Sequence, residues 1–203
     1  MLNINLKLLI SCYYKFRISY LVSVLKYLLT FVLLPLLVFS QEITLVETSY
    51  LDAEKFIGID FHDNSYYIKD QILFKKTNHS VFNFKDFQLG EIYSVDISNP
   101  MNIAVYYQDF NVVVLLDNKL SEIERINFNA IYEFINTSQV SIAANTSLWA
   151  FNLDSQQLEL YNYRNQNKTI VSQPLNGEVI QQVSNINYCF LMTEKYIRAY
   201  NIY

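Results

Sequence analysis

Between residues 41 and 203 the apolar positions fall in short runs with no sustained helical spacing. The runs are rich in Val, Ile, Tyr and Phe and are bounded by Asn, Asp, Ser and Pro, the pattern of strands joined by turns. They recur in a fixed order. A first strand is expected at 56–61, 91–97, 140–144 and 179–183, and a second at 65–69, 102–107, 147–153 and 187–192. A third is expected at 71–75, 110–116, 157–163 and 195–203, and a fourth at 80–84, 122–128 and 169–171. The unit repeats every forty residues or so, and four short strands at about that period describe one blade of a β-propeller.

Two further features agree with this reading. Gly90-Glu91-Ile92 and Gly177-Glu178-Val179 open the second and fourth units. "NVVVLLD" (Asn111 to Asp117) is nearly continuous apolar text, as expected for a sheet covered on both faces, where a one-sided sheet would alternate. A β-sandwich would accept short strands but does not require a repeating unit, so the propeller is favoured. The expected fold class is therefore all-β, a propeller of about four visible blades over residues 41–203. The fourth unit supplies only three strands, and two explanations stay open. Residues 42–51 supply the missing outer strand and fasten a four-bladed ring, or the chain is a truncated piece of a larger propeller; the second is favoured.

Residues 1–40 read differently. They hold Lys7, Lys15, Arg17 and Lys26 and no acid, and "KYLLTFVLLPLLVFSQE" has a positive residue, an apolar run from Tyr27 to Phe39 and small or polar residues behind it. This is the pattern of a secretory signal, with Val38 and Ser40 suited to cleavage before Gln41. The prefix before Lys26 is long for such a leader. An uncleaved anchor is the rival, because residues 18–39 are long and apolar enough to span a bilayer as a helix and the basic residues place the N-terminus in the cytoplasm. Both readings export the body to the periplasm, the outer membrane or the outside of the cell. Cys12 follows Leu9-Ile10-Ser11 in the order of a bacterial lipobox, but the stretch before it is short and contains Lys7, so lipidation is disfavoured. Cys189 lies in an apolar run and is expected to pack as a small hydrophobe; with no second cysteine in the body, no internal disulfide forms there.

All 19 acidic side chains of the chain lie in the body, which is therefore clearly acidic. That sign repels phosphate backbones, and no basic stripe offsets it, which argues against nucleic-acid binding. The 17 tyrosines count for less than they suggest, since a chain rich in Asn, Ile, Lys, Tyr and Phe with only three glycines reflects AT-rich coding.

The leader ending in "FSQE", "YYIKDQILFKKT" (Tyr66 to Thr77) and above all "VDISNPMNIAVYYQDFNVVVLLDNKL" (Val95 to Leu120) resemble exported β-propeller proteins of Bacteroidota, chiefly of flavobacterial type. The resemblance covers most of residues 41–203. It implies a fold and a compartment, and carries no catalytic motif.

The densest set of metal-capable side chains is "DFHDN", with Asp60, His62, Asp63 and Asn64. It falls where a first strand turns into a second, the place that "DISNP" occupies in the next unit, so Asp and Asn are expected there as turn formers before they are expected as ligands. His79 lies in another turn and offers no second imidazole. No serine or cysteine has an identifiable base partner and no Gly-rich phosphate loop exists. Glu122 and Glu124 share one strand face and are expected to be solvated, although two carboxylates facing across a pocket would suit a glycosidase. Trp149, Tyr66-Tyr67 and Tyr106-Tyr107 could stack on sugars but lie in second strands, where aromatics fill the space between blades. Sequons at Asn78, Asn136, Asn145 and Asn167 are expected by chance in so Asn-rich a chain. The resulting expectation is an exported, non-enzymatic module that binds or scaffolds an envelope protein, without cofactor or metal. The alternatives are a carbohydrate-binding or carbohydrate-active propeller and a non-functional fragment of a larger one. The candidate rim residues are Asp60, His62, Asp63, Asp96, Asn99, Asn145 and Asn185, and membrane contact is expected only through residues 18–39 if these are not cleaved.

Overall fold

The computed structural model describes residues 6–33, 43–45, 48 and 50–202. The chain divides into two units, Met1–Tyr50 and Leu51–Tyr203. In the first, α1 spans Leu6–Leu33, starting well before the apolar span expected from residue 18. The expected cleavage position at Ser40 and Gln41, and the end of that span, lie outside the described residues. Among the described residues no helix is long and apolar enough to cross a membrane.

The second unit is a mainly β, four-bladed propeller. Sheet one contains β1 (Lys55–Ile59), β2 (Ser65–Lys69), β3 (Ile72–Lys76) and β4 (Val81–Phe84), paired in that order. Sheet two contains β5 (Ser94–Asp96), β6 (Ile103–Tyr107), β7 (Val112–Leu116) and β8 (Glu122–Asn127). Sheet three contains β9 (Thr137–Ala143), β10 (Ser147–Asn152), β11 (Gln157–Asn162) and β12 (Asn167–Ile170). Sheet four contains β13 (Gln181–Ser184), β14 (Tyr188–Met192) and β15 (Ile197–Asn201). Every pairing is antiparallel between neighbours in sequence. Each strand expected from the repeat is present, with ends shifted by a few residues. The described residues between 43 and 51 form no strand, and sheet four has three.

The side-chain alternation of each strand sends successive residues to opposite neighbours. Tyr66, Ile68 and Leu73 of sheet one pack with Ile103, Val105 and Tyr107 of sheet two. The intervening Ala104 and Tyr106 pack with Leu148 and Ala150 of sheet three. Trp149 and Phe151 then pack with Cys189 and Leu191 of sheet four. Three sheet-to-sheet cores follow in series, and β6, β7 and β10, covered on both faces, are buried at every position. The continuous apolar text of "NVVVLLD" has this cause.

Several turns hold residues at positive φ. Asp70 and Gln71 (φ 51 and 60) close β2 onto β3 as a two-residue hairpin of the primed kind, and the three-residue connection of β9 to β10 holds Asn145 and Thr146 at φ 56 and 57. Gly90 (φ 74) and Gly177 (φ 103) lie in the loops entering sheets two and four. An added Cβ at Gly90 would come no closer than 3.6 Å to Phe110, so the repeated Gly-Glu marker answers a backbone conformation and not a lack of space.

Candidate functional site

In an antiparallel meander the first-to-second and third-to-fourth turns lie at one end of the strands, and the second-to-third turns and inter-sheet loops at the other. All seven candidate rim residues fall in or beside first-to-second turns and so belong to the same rim. What they do there is mostly local. Asp60 is buried, and its carboxylate accepts from the backbone N–H groups of His62 (2.9 Å) and Asn64 (3.0 Å), the Asn64 side-chain amide (3.0 Å) and the Tyr66 hydroxyl (2.9 Å). Lys75 Nζ stands 3.9 Å from the same carboxylate, donates to Asn118 O (3.0 Å) and lies over the Tyr66 ring. Burial by itself would raise the Asp60 pKa, but the Asn64, His62 and Tyr66 donors together hold it below 3.8. The Tyr66 hydroxyl is pushed well above its ordinary range by its burial and by the Asp60 charge.

His62 and Asp63 are exposed at the tip of this turn, Asp63 with φ 61. Asn99 Oδ1 accepts from Met101 N (3.0 Å), and Asn185 Oδ1 accepts from Asn187 N (3.0 Å) and Tyr188 N (2.8 Å). These are Asx turns. Asp96 does more. One oxygen accepts from Ser98 N (2.8 Å) within the turn, and the other accepts from Ile142 N (2.7 Å) in sheet three. Asn145 is exposed, and its carbonyl accepts from the Asn162 side chain (2.8 Å). Among the described residues no group of three or more His, Cys, Asp or Glu side chains is placed to hold a metal ion.

The larger concavities lie mostly away from these residues. A cleft of about 430 Å³ is lined by the first strands of all four sheets, with Ser94, Asp96, Gln139, Ser141, Gln182 and Ser184 among its polar lining. Its walls are laced together: Gln182 Nε2 donates to Ser141 Oγ (2.6 Å) and Ser184 Oγ to Ile142 O (3.1 Å), while Gln182 Oε1 is buried without a partner. Hydroxyl and amide groups can hold a polar ligand, but Asp96, the one carboxylate, is already committed to two N–H donors. A second cleft, of about 450 Å³, opens on the opposite rim between sheets one and two. It is lined by Glu54, Glu91 and Asp109 together with Lys55, whose Nζ donates to Tyr93 O (3.1 Å).

Of the candidate residues only Asp96 lines a cleft, the one between the first strands. The signal available for the first was the polar residue recurring at every second position of the first strands (Ser94 and Asp96, Gln139 and Ser141, Gln182 and Ser184), which an apolar-run search passes over. Glu122 binds Arg125 through two contacts, of 3.0 and 2.8 Å, and Arg125 also meets Asp86 at 2.8 Å, so this acid braces sheet two against the loop behind sheet one. Trp149, Tyr66, Tyr106 and Tyr107 are all buried, as core packing required, while Tyr67 is half-buried and stacks on Phe74 at 5.2 Å.

The sheets and their clefts define a mainly β propeller with four blades and one N-terminal helix. No protein-family model and no curated protein matches the chain. Among solved structures it is similar to a streptogramin B lyase (TM-score 0.46, 8% identity), over 73% of this chain and 54% of that one. It is also similar to a catalytically inactive virginiamycin B lyase from Staphylococcus aureus in a structure with quinupristin (TM-score 0.45, 9% identity), over 73% and 55%. The chain thus spans about half the length of the structures it matches.

Proposed function

We propose that the chain is a non-catalytic propeller that binds or scaffolds a protein of the cell envelope. The observation behind this reading is the exposure of large apolar side chains on the outward faces of sheets one and four: Phe56 is 55% exposed, Tyr188 43% and Phe190 39%. Exposed patches of this kind mark association surfaces more often than chemistry. The Asp60 and Asp96 carboxylates of the rim are engaged in turn, sheet and ion-pair contacts, which leaves them poorly disposed as general acids or bases. Envelope placement enters from the N-terminal segment, and N-terminal sequencing of the exported protein tests it, a start at Gln41 ruling out the uncleaved anchor. Crosslinking in the native host followed by mass spectrometry of retained proteins tests the binding reading. Retention of no protein at all, further copies of the chain included, refutes it.

A second reading, a carbohydrate-binding propeller, is favoured by the hydroxyl and amide lining of the first-strand cleft. Titration calorimetry with cell-wall and polysaccharide fragments decides it, since a panel without measurable heat removes it.

A further inference from the structure

The sequence contains one Asn-Gly pair, Asn176-Gly177, in the loop that carries the chain from sheet three to sheet four. Both residues are exposed. The loop is anchored on either side of them in the core between those two sheets: Leu175 and Val179 are 3% and 7% exposed, and Leu175 N donates to Gln156 O (2.8 Å).

Three features of the pair bear on its chemistry. Gly177 has φ 103, a Cβ built on it would meet nothing within 4 Å, and its lack of one leaves the backbone nitrogen open to approach by the Asn176 carboxamide. Among the described residues, neither the Gly177 N–H nor the Asn176 side chain makes a hydrogen bond, whereas the carboxamides of Asn99, Asn162 and Asn185 are each held in a turn by a backbone N–H. The Tyr196 hydroxyl donates to Asn176 O (2.8 Å), the carbonyl of the same peptide group whose nitrogen belongs to Gly177. Asn176 and Gly177 face Glu194, Lys195 and Tyr196 across an open cleft of about 340 Å³, which admits water.

We propose that Asn176 is a modification site, which deamidates spontaneously through a cyclic imide formed with Gly177, and that Tyr196 promotes the step. Hydroxide takes the proton from Gly177 N, and the negative charge spreads onto Asn176 O, where the Tyr196 hydroxyl already donates. A donor aimed at the atom where charge develops lowers the barrier, as in an oxyanion hole. The nitrogen attacks Asn176 Cγ, the Cγ–Nδ2 bond breaks, and the amide nitrogen takes a proton from water and leaves as ammonia. Water then opens the ring. Cleavage of the bond from Gly177 N to Cγ gives aspartate; cleavage of the bond from Gly177 N to the main-chain carbonyl carbon gives isoaspartate, with the chain running through Cβ and Cγ. Either product places a carboxylate near Glu178 and Glu194 where a neutral amide stood. The isoaspartyl product also lengthens the main chain by one methylene between Leu175 and Val179, both fixed in the core, and so loosens the entry to sheet four. This chemistry needs no partner and is independent of the binding reading.

The test is incubation of the purified full chain at mildly alkaline pH, followed by proteolysis and mass spectrometry with fragmentation that separates aspartate from isoaspartate. Asn176 is expected to convert ahead of every other asparagine, with isoaspartate the larger product, and the converted protein to unfold at lower urea. Tyr196→Phe keeps the ring over which Arg198 lies, 4.5 Å from the centroid, and loses only the hydroxyl. It is expected to slow conversion about tenfold, the worth of one hydrogen bond to a developing charge, with an unchanged circular dichroism spectrum. In urea-unfolded chains the parent and Tyr196→Phe are expected to convert at one rate, which ties the difference to the folded contact. An Asn176 that stays intact while other asparagines convert overturns the proposal. A folded Tyr196→Phe as fast as the parent overturns the part given to Tyr196, aspartate without isoaspartate overturns the cyclic route, and an unmoved urea midpoint overturns the loosening of sheet four.

Discussion

Replacing Asp60 with alanine removes the acceptor around which the first turn of sheet one is built. The side chains of Asp60 and Lys75 are 0% and 5% exposed, and their polar atoms lie 3.9 Å apart. Removing one member of a buried ion pair costs about 3–5 kcal/mol, because the other charge is left without its counterion. Lys75 keeps its bond to Asn118 O and its place over the Tyr66 ring, 5.3 Å from the centroid, which moves the expectation to the lower end. The Tyr66 hydroxyl loses a buried partner, adding about 1 kcal/mol, while the His62 and Asn64 N–H groups sit near the surface and regain water. A loss of about 3–4 kcal/mol is therefore expected.

The assay is urea unfolding of the full chain at neutral pH by circular dichroism, with hydrogen exchange over residues 55–84 to place the loss in sheet one. Lys75→Met in the Asp60→Ala background removes the stranded cation, so the double variant is expected to recover at least about 1 kcal/mol over the single one. An Asp60→Ala protein within about 0.5 kcal/mol of the parent, or a double variant no better than the single, would refute the reasoning. The rival role is checked in the same experiment. Calcium, magnesium or zinc is expected to leave the parent's midpoint unmoved, and a rise that Asp60→Ala abolishes would make "DFHDN" a cation site after all.

Asp60 also predicts the acid limb of stability. Its folded pKa lies below the ordinary 3.8, so its stabilisation is full above that value and is lost as pH falls through the folded pKa; Asp60→Asn is expected to flatten the fall in urea midpoint below pH 3.8. Asp96→Ala strands the Ile142 N–H between sheets two and three and is expected to cost about 1–3 kcal/mol, read as faster exchange of the Ile142 amide in particular. Thr146 is β-branched and sits at φ 57, so Thr146→Gly is expected to raise stability by about 1 kcal/mol; a lower urea midpoint would show that its hydroxyl bond to Asn145 O outweighs the strain. Burial raises the Cys189 thiol well above its ordinary pKa, and in a Cys12→Ser background iodoacetamide labelling is expected to track unfolding, with prompt labelling of the native protein counting against its place in the third core.

The order, number and spacing of the fifteen strands among the described residues were legible along the chain, since a strand needs only a short run of β-forming residues and a turn on either side. So was the two-faced burial of β7, written as the unbroken apolar run Val112 to Leu116. Asp60, Asn99 and Asn185 were legible as turn formers for the same local reason: an Asx turn is made with N–H groups two to four residues away. The bond from Asp96 to Ile142, the burial of Lys75 against Asp60 and the gathering of Ser94, Gln139, Ser141 and Gln182 around one cleft were not. Each joins residues of different strands, and two of the three join different sheets, so no local pattern records which distant partner a side chain will meet. The uncovered faces of sheets one and four belong to the same class. Tyr188 opens one second strand and Tyr107 closes another, and what separates the exposed one from the buried one is whether a neighbouring sheet lies against it, which tertiary packing alone decides.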